Sequence, residues 1–247
     1  MFRTIKLIFV LFTELIVTAM KLGKARRLKR AEKENELSRH IVKTTNRFAD
    51  NLLKAAGAKV SVTGLENIPG NRAVVFAANH QSFFDVPVLI HSFRRPLAFV
   101  AKTGVAKVPI LGNWMKYMRC VLVNRDDMRQ SLRAINEAAK NIKKGYSMLI
   151  FPEGTRTKDG SIIPFKPGGL RIAKKANCEI IPVTLDGVFD IYEKNKGLRI
   201  KASDVRVTVS EAIDISSMDK KDIKGLDEKI REIISSKLRN SLNLNQI

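Results

Sequence analysis

His80 and Asp85, five residues apart, bracket the segment Asn79-His80-Gln81-Ser82-Phe83-Phe84-Asp85. An imidazole with one nitrogen held by a carboxylate is a general base of fixed tautomer, and a positioned base contributes about 10²–10⁴-fold to a rate. Five residues subtend about 500° on an ideal helix, so the two side chains cannot share a helical face. They meet if His80 lies in a strand-to-helix turn and Asp85 in the first helical turn. The other reading is an Asp85 that only caps a helix beside a structural His80. A second segment, Phe151-Pro152-Glu153-Gly154-Thr155-Arg156, combines a turn-forming Pro-x-Gly with ligand chemistry. Gly154 lets backbone approach a ligand, and the Thr155 hydroxyl and Arg156 guanidinium suit a phosphate dianion. Glu153 can orient a neighbouring base or accept from a substrate hydroxyl. Standing alone, that segment reads better as a polar turn with a Glu153–Arg156 surface pair. Arg125, in Val123-Asn124-Arg125-Asp126, and Lys102 supply two further cations. A base beside three cations suits a phosphorylated substrate bearing a hydroxyl. His40 and His91 read as structural or surface residues.

Each of these segments follows a short apolar run. Residues 72–78, 96–101, 120–123, 146–151 and 179–184 read as buried strands, with a sixth at 206–210. Helical patterns lie between them. Met128, Leu132, Ile135, Ala139 and Ile142 recur at steps of four and three, with Asp126 or Asp127 as the cap and Gly145 as the stop. Residues 169–177 form another short helical pattern, and Ile223, Leu226, Ile230, Ile233, Ile234 and Leu238 another apolar stripe. Alternation of this kind predicts an α/β fold, a mixed, mostly parallel sheet flanked by helices. If the sheet is parallel there, the strand ends carrying His80, Lys102, Arg125 and Arg156 share one edge.

The chain has 247 residues, enough for one large domain or one and a half at about 150 residues each. Lys and Arg number 45 against 24 Asp and Glu, a net charge of +21, while 45% of residues are hydrophobic. That excludes a disordered basic tail and calls for an anionic partner. Two cysteines, Cys120 and Cys178, exclude a disulfide scaffold and a four-thiolate zinc site. The three histidines lack H-E-x-x-H spacing, and no metal site is expected. Residues 7–20 are mostly apolar but are preceded by Lys6 and contain Glu14. That run is shorter than the about 20 residues a spanning helix needs, and Glu14 at mid-bilayer would be costly. No A-x-A site marks it as a cleaved signal peptide. Residues 21–47 hold ten basic residues against Glu32, Glu34 and Glu36. An apolar helix followed by a basic one suits insertion into one leaflet with the cations at the headgroups. The alternative is an amphipathic helix pair packed on the main domain, or an oligomer contact. The division expected is an amino-terminal membrane-associated helical segment, 1–58, and an α/β domain, 59–247.

Taken in order, the motifs resemble the four blocks of the glycerolipid acyltransferases, and among them the bacterial 1-acyl-glycerol-3-phosphate acyltransferases. The blocks are Asn79-His80 with Asp85, Val121 to Arg125 after Gly112, Phe151 to Arg156, and Ile181-Pro182-Val183. Pro164-Phe165-Lys166-Pro167-Gly168-Gly169 fits between the last two, so the resemblance spans residues 60–211. The resemblance implies His80 as general base with Asp85 orienting it. It implies direct attack of the 2-hydroxyl of lysophosphatidic acid on an acyl thioester, with no acyl-enzyme. By the same resemblance Arg125, Glu153, Gly154, Thr155 and Arg156 bind the glycerol phosphate, and Lys102 matches a basic residue often found there. Ile181-Pro182-Val183 belongs to the acyl or acceptor site. Ser82 is not a nucleophile, since no G-x-S-x-G elbow surrounds it. Val121, Val123 and Asn124 depart from the bulkier and acidic residues common in the second block and bear on the acceptor pocket. No cofactor is implied. The donor is an acyl-acyl carrier protein or acyl-coenzyme A, and the expected place is the inner, cytoplasmic face of the cell membrane, where the basic flank at residues 21–30 sits best. A backbone N–H near His80 is the expected oxyanion donor.

Two other readings stand beside this one. The acceptor could be glycerol-3-phosphate or another lysolipid. A non-catalytic module could bind anionic membrane or nucleic acid, but aromatics are 6% and no nucleic-acid motif is present, so nucleic acid is not expected. Redox and phosphoryl-transfer chemistry lack their glycine-rich loops.

Overall fold

The structure, a computed structural model, describes residues 2–124, 127–166, 168, 170–195, 197, 199–216, 218 and 220–238. Its elements run α1 (Phe2–Arg30), α2 (Glu34–Ala56), β1 (Ala58–Thr63), β2 (Val75–Ala78), α3 (Asp85–Phe93), β3 (Ala98–Lys102), α4 (Pro109–Tyr117) and β4 (Val121–Val123). There follow α5 (Met128–Lys143), β5 (Met148–Ile150), α6 (Arg171–Ala176), β6 (Ile180–Asp186), β7 (Ser203–Val209) and α7 (Lys220–Ser235). The strands form one seven-stranded sheet in the order β1-β7-β6-β2-β5-β3-β4. β2, β3, β4, β5 and β6 are parallel, and β6 meets β7 antiparallel. The sheet is therefore mixed and mostly parallel, as the alternation of elements predicts.

The apolar runs become strands because both faces of the sheet are covered. Val75 and Ala77 of β2 face a core built with Ala134, Ala138 and Ile142 of α5, Ala173 of α6 and Ile230 of α7. Phe76 and Ala78 face the opposite core, with Leu53 of α2 and Val88 and Leu89 of α3. β2 lies in the middle of the order with all four residues buried. β1 was absent from the sequence expectations. It is an edge strand that pairs only with β7, and its residues alternate between half-buried and exposed, so it leaves no continuous apolar run.

At the amino terminus α1 is one helix through both the apolar run and the basic residues 21–30. Glu32, at φ 55°, turns the chain, and α2 runs back along α1. Glu14 is buried in this hairpin rather than facing outward. Its carboxylate accepts from Arg47 Nη2 at 2.8 Å and Asn51 Nδ2 at 2.7 Å, which satisfies a charge that could not be buried alone. The apolar run thus divides between an inward and an outward side. Leu7 packs toward the domain core, while Phe2, Ile5, Phe9, Phe12, Ile16 and Met20 are exposed at steps of three and four. Among the described residues no helix is long and apolar enough to cross a membrane.

Candidate active site

The parallel register puts the carboxyl ends of β2, β3, β4, β5 and β6 on one edge of the sheet. His80 follows β2 and Asp85 opens α3, which is the strand-to-helix turn the spacing requires. His80 Nδ1 lies 2.7 Å from Asp85 Oδ2. The same oxygen accepts from the Gln81 amide at 2.7 Å and the Ser82 amide at 2.9 Å. Asp85 is completely buried, and burial pushes its pKa up, opposed by the His80 hydrogen bond and charge and by the two amides. Three N–H donors on one oxygen fix the carboxylate, the carboxylate fixes the imidazole, and Nε2 is left for chemistry. The ring also stacks on Phe151, with centroids 4.0 Å apart and planes 15° from parallel.

The backbone of His80 is clamped from β5's loop. Its amide donates to Glu153 Oε1 at 2.7 Å, and its carbonyl accepts from the Thr157 amide at 2.9 Å. The other Glu153 oxygen accepts from the Ile163 amide at 3.1 Å. Glu153 is buried behind the site, and burial pushes its pKa up to about 7 against the pull of those two amides. Of the two roles the sequence allowed, this geometry suits the orienting one. Gly154 sits in the same turn at φ 73°, where a Cβ would meet the Lys166 side chain at 2.9 Å. Asn79 locks the end of β2 to β6: its Nδ2 donates to the Leu185 carbonyl and its Oδ1 accepts from the Leu185 amide, both at 2.8 Å.

A cavity of about 540 Å³ opens on this edge. His80, Lys102, Thr155 and Arg156 line it together, so three of the four expected cation-bearing or basic strand ends converge. Arg125, the fourth, lies outside the described residues. The remaining wall is largely apolar, from Phe48 of α2, Val86 and Ile90 of α3, and Leu111, Trp114 and Met115 of α4. α4 was not among the expected helices. The Arg156 guanidinium sits over the Phe83 ring, 3.3 Å from its centroid, with Glu193 Oε1 4.0 Å from Nη1. Phe83, Phe151 and Glu193 were not singled out for these roles, and only the aromatic content of the two motifs hinted at them. Ile181-Pro182-Val183 lies within β6, beside β2, with all three residues buried, and not in the cavity wall.

Residues 80–84 do not supply the expected oxyanion donor. The amides of His80, Gln81, Ser82, Phe83 and Phe84 are committed to Glu153, Asp85, Asp85, Glu193 and the Ser82 hydroxyl. The strand-to-helix turn spends these N–H groups on holding itself together. His91, read as structural, bonds Asp50 through Nδ1 at 2.6 Å, and Arg94 binds the same carboxylate. His40 Nε2 bonds the Lys21 carbonyl at 3.1 Å, between α1 and α2. Neither lines the cavity. Among the described residues no group of three or more metal-ligating side chains occurs.

A half-buried imidazole held by a fully buried carboxylate, opening into a largely apolar cavity with cations beside it, can do base-assisted chemistry on an anionic amphiphile. Residues 59–186 match the family model described as Acyltransferase, and the chain belongs to that family. It is 33% identical over 183 residues to the 1-acyl-sn-glycerol-3-phosphate acyltransferase of Borreliella burgdorferi, covering 74% of this chain and 73% of that protein. It is 35% identical over 171 residues to the protein of that description from Chlamydomonas reinhardtii, covering 67% of this chain. The chain spans 51% of that relative and 45% of those from Brassica napus and Arabidopsis thaliana. The crystal structure of the 1-acyl-sn-glycerophosphate (LPA) acyltransferase from Thermotoga maritima superposes with a TM-score of 0.82 at 26% identity, covering 98% of this chain and 95% of that one.

Proposed function

We propose that this protein transfers an acyl chain from an acyl thioester to the 2-hydroxyl of 1-acyl-sn-glycerol-3-phosphate, giving phosphatidic acid. The observation that carries this reading is the His80–Asp85 pair in a cavity with apolar walls and with Lys102, Thr155 and Arg156 beside the base. His80 Nε2 takes the proton of the acceptor hydroxyl as its oxygen bonds to the thioester carbonyl carbon. The tetrahedral adduct collapses, the carbon–sulfur bond breaks, and the imidazolium returns its proton to the departing thiolate. Asp85 stabilises the imidazolium between those steps. Arg156, Thr155 and Lys102 hold the phosphate, with Arg125 as a further ligand, and the acyl chains lie along the apolar wall. No cofactor enters this scheme, since the acyl donor, on carrier protein or coenzyme A, is itself a substrate.

An acceptor and a product that live in a bilayer give the exposed stripe of α1 its use. Phe2, Ile5, Phe9, Phe12 and Ile16 would enter one leaflet, with exposed Lys24, Arg26, Arg27, Lys29 and Arg30 meeting anionic headgroups. An anchor of this kind, with its basic flank at residues 21–30, supports a place on the inner face of the cell membrane. The test of the acceptor is to supply one thioester with lysophosphatidic acid or with glycerol-3-phosphate. Faster transfer to the lysolipid is expected, and preference for glycerol-3-phosphate overturns the acceptor assignment.

Glu153 is proposed here as a positioning residue rather than a phosphate ligand. Glu153→Gln exchanges one acceptor oxygen for a donor, so the His80 or the Ile163 amide loses its partner. The expected result is a kcat lower by about tenfold or more with acceptor KM within about twofold, the signature of lost transition-state geometry. A raised KM at unchanged kcat would return Glu153 to the substrate.

A further inference from the structure

The outer face of α5 carries two apolar side chains that the fold leaves unpartnered. Met128 is 80% exposed and Leu132 50% exposed, one helical turn apart. The sequence stripe would turn them into the core, but the core side of α5 is taken by Ala134, Ala138, Ala139 and Ile142. Arg129 and Arg133, also exposed, run beside them at the same spacing. Lys140, Lys143 and Lys144 continue the exposed positive face, with Glu137 as its exposed acid. Asp127, at the amino end, is committed to capping the helix through the Gln130 amide at 3.0 Å.

Position decides what this face is for. α5 covers one side of the sheet, whereas α1, α2 and α3 pack toward the other. Met128 and Leu132 therefore do not continue the apolar stripe of α1, and a bilayer engaged by α1 would not also engage them. Yet α5 starts just beyond β4, whose Val123 is paired with Lys102 of the cavity wall. Its amino end thus stands at the catalytic edge of the sheet and faces water.

We propose that this face docks an acidic protein that delivers the acyl chain as a thioester on a flexible arm. The inference rests on the acyl-transfer reading above and selects the carrier protein as donor. An apolar pair flanked by arginines has the make-up of an interface centre, where Met and Arg are enriched and Lys is not. A positive face steers a negative partner and fixes its register. Acyl-coenzyme A, a small ligand that enters the cavity itself, has no need of an apolar pair on the outside of a helix.

The test uses the full-length protein in detergent micelles, with acyl-carrier protein and acyl-coenzyme A compared as donors. The variants are Arg129→Glu with Arg133→Glu, and separately Met128→Ser with Leu132→Ser. Both pairs are solvent-exposed, so the fold should tolerate them, and thermal melts check that. For each pair, kcat/KM with the carrier-protein donor should fall about tenfold or more while that with acyl-coenzyme A stays within about twofold. Equal losses with both donors, no loss with either, or a wild type that uses only acyl-coenzyme A would overturn the proposal. If wild type transfers from neither donor, the acyl-transfer reading fails separately. Titration with the carrier protein then decides docking: binding to wild type that the charge-reversed variant loses upholds it, and binding unchanged or absent overturns it.

Discussion

Replacing His80 with alanine is expected to lower acyl transfer to lysophosphatidic acid by about 10²–10⁴-fold without unfolding the protein. The expectation rests on what the side chain touches. His80 bonds Asp85 through Nδ1, stacks on Phe151 and presents its remaining edge to the cavity, so its loss removes the base and little packing. The turn itself is held by backbone bonds that alanine retains, from the His80 amide to Glu153 and from the Thr157 amide to the His80 carbonyl. Circular dichroism and a thermal melt establish that the variant is folded. A folded variant with wild-type turnover would remove His80 from the mechanism.

Asp85→Asn is expected to cost about as much, again about 10²–10⁴-fold in kcat. The amide can place its oxygen where Oδ2 now accepts from His80, Gln81 and Ser82, so the turn can persist. It cannot supply the negative charge that stabilises an imidazolium. Asp85 is fully buried, so water does not replace that charge. Asp85→Ala goes further and leaves the Gln81 and Ser82 amides without their acceptor, which costs stability as well as rate. The two variants therefore separate charge from scaffold. A fall in melting temperature confined to the alanine variant, with kcat lost in both, is the expected pattern. Full activity in a folded Asp85→Asn variant would make the carboxylate a helix-opening residue and nothing more.

β2 and β5 were legible because each is buried on both sides and so reads as a continuous apolar run, and β3 and β4, though partly exposed, keep an apolar run as well. The pairing of His80 with Asp85 was legible from a spacing that only a strand-to-helix turn can close. What the sequence concealed depends on which way a side chain or an amide faces. β1 alternates because it lies at the sheet edge, and α4 is short and begins at Pro109 after an irregular segment. A backbone N–H near His80 is the expected oxyanion donor, yet the turn uses every amide of residues 80–84. The resemblance sets Glu153 against substrate beside Thr155 and Arg156, while the residues alone also allow it to orient a base. One step along the turn reverses its direction, and its carboxylate faces the backbone of His80 instead. Met128 and Leu132 match the helical period of the core positions, but small alanines let another face of α5 approach the sheet. For α5 the periodicity was right, and the missing information was which of two faces met the core.

The most direct test of the account follows label and thiol together when the wild-type protein meets an acyl-labelled thioester and lysophosphatidic acid. Direct attack predicts that free thiol and labelled phosphatidic acid appear in equal amounts, and that no label stays on the protein when acceptor is withheld. Thiol released without lipid product, or label covalently retained by the protein, would contradict base-assisted transfer by His80 and Asp85.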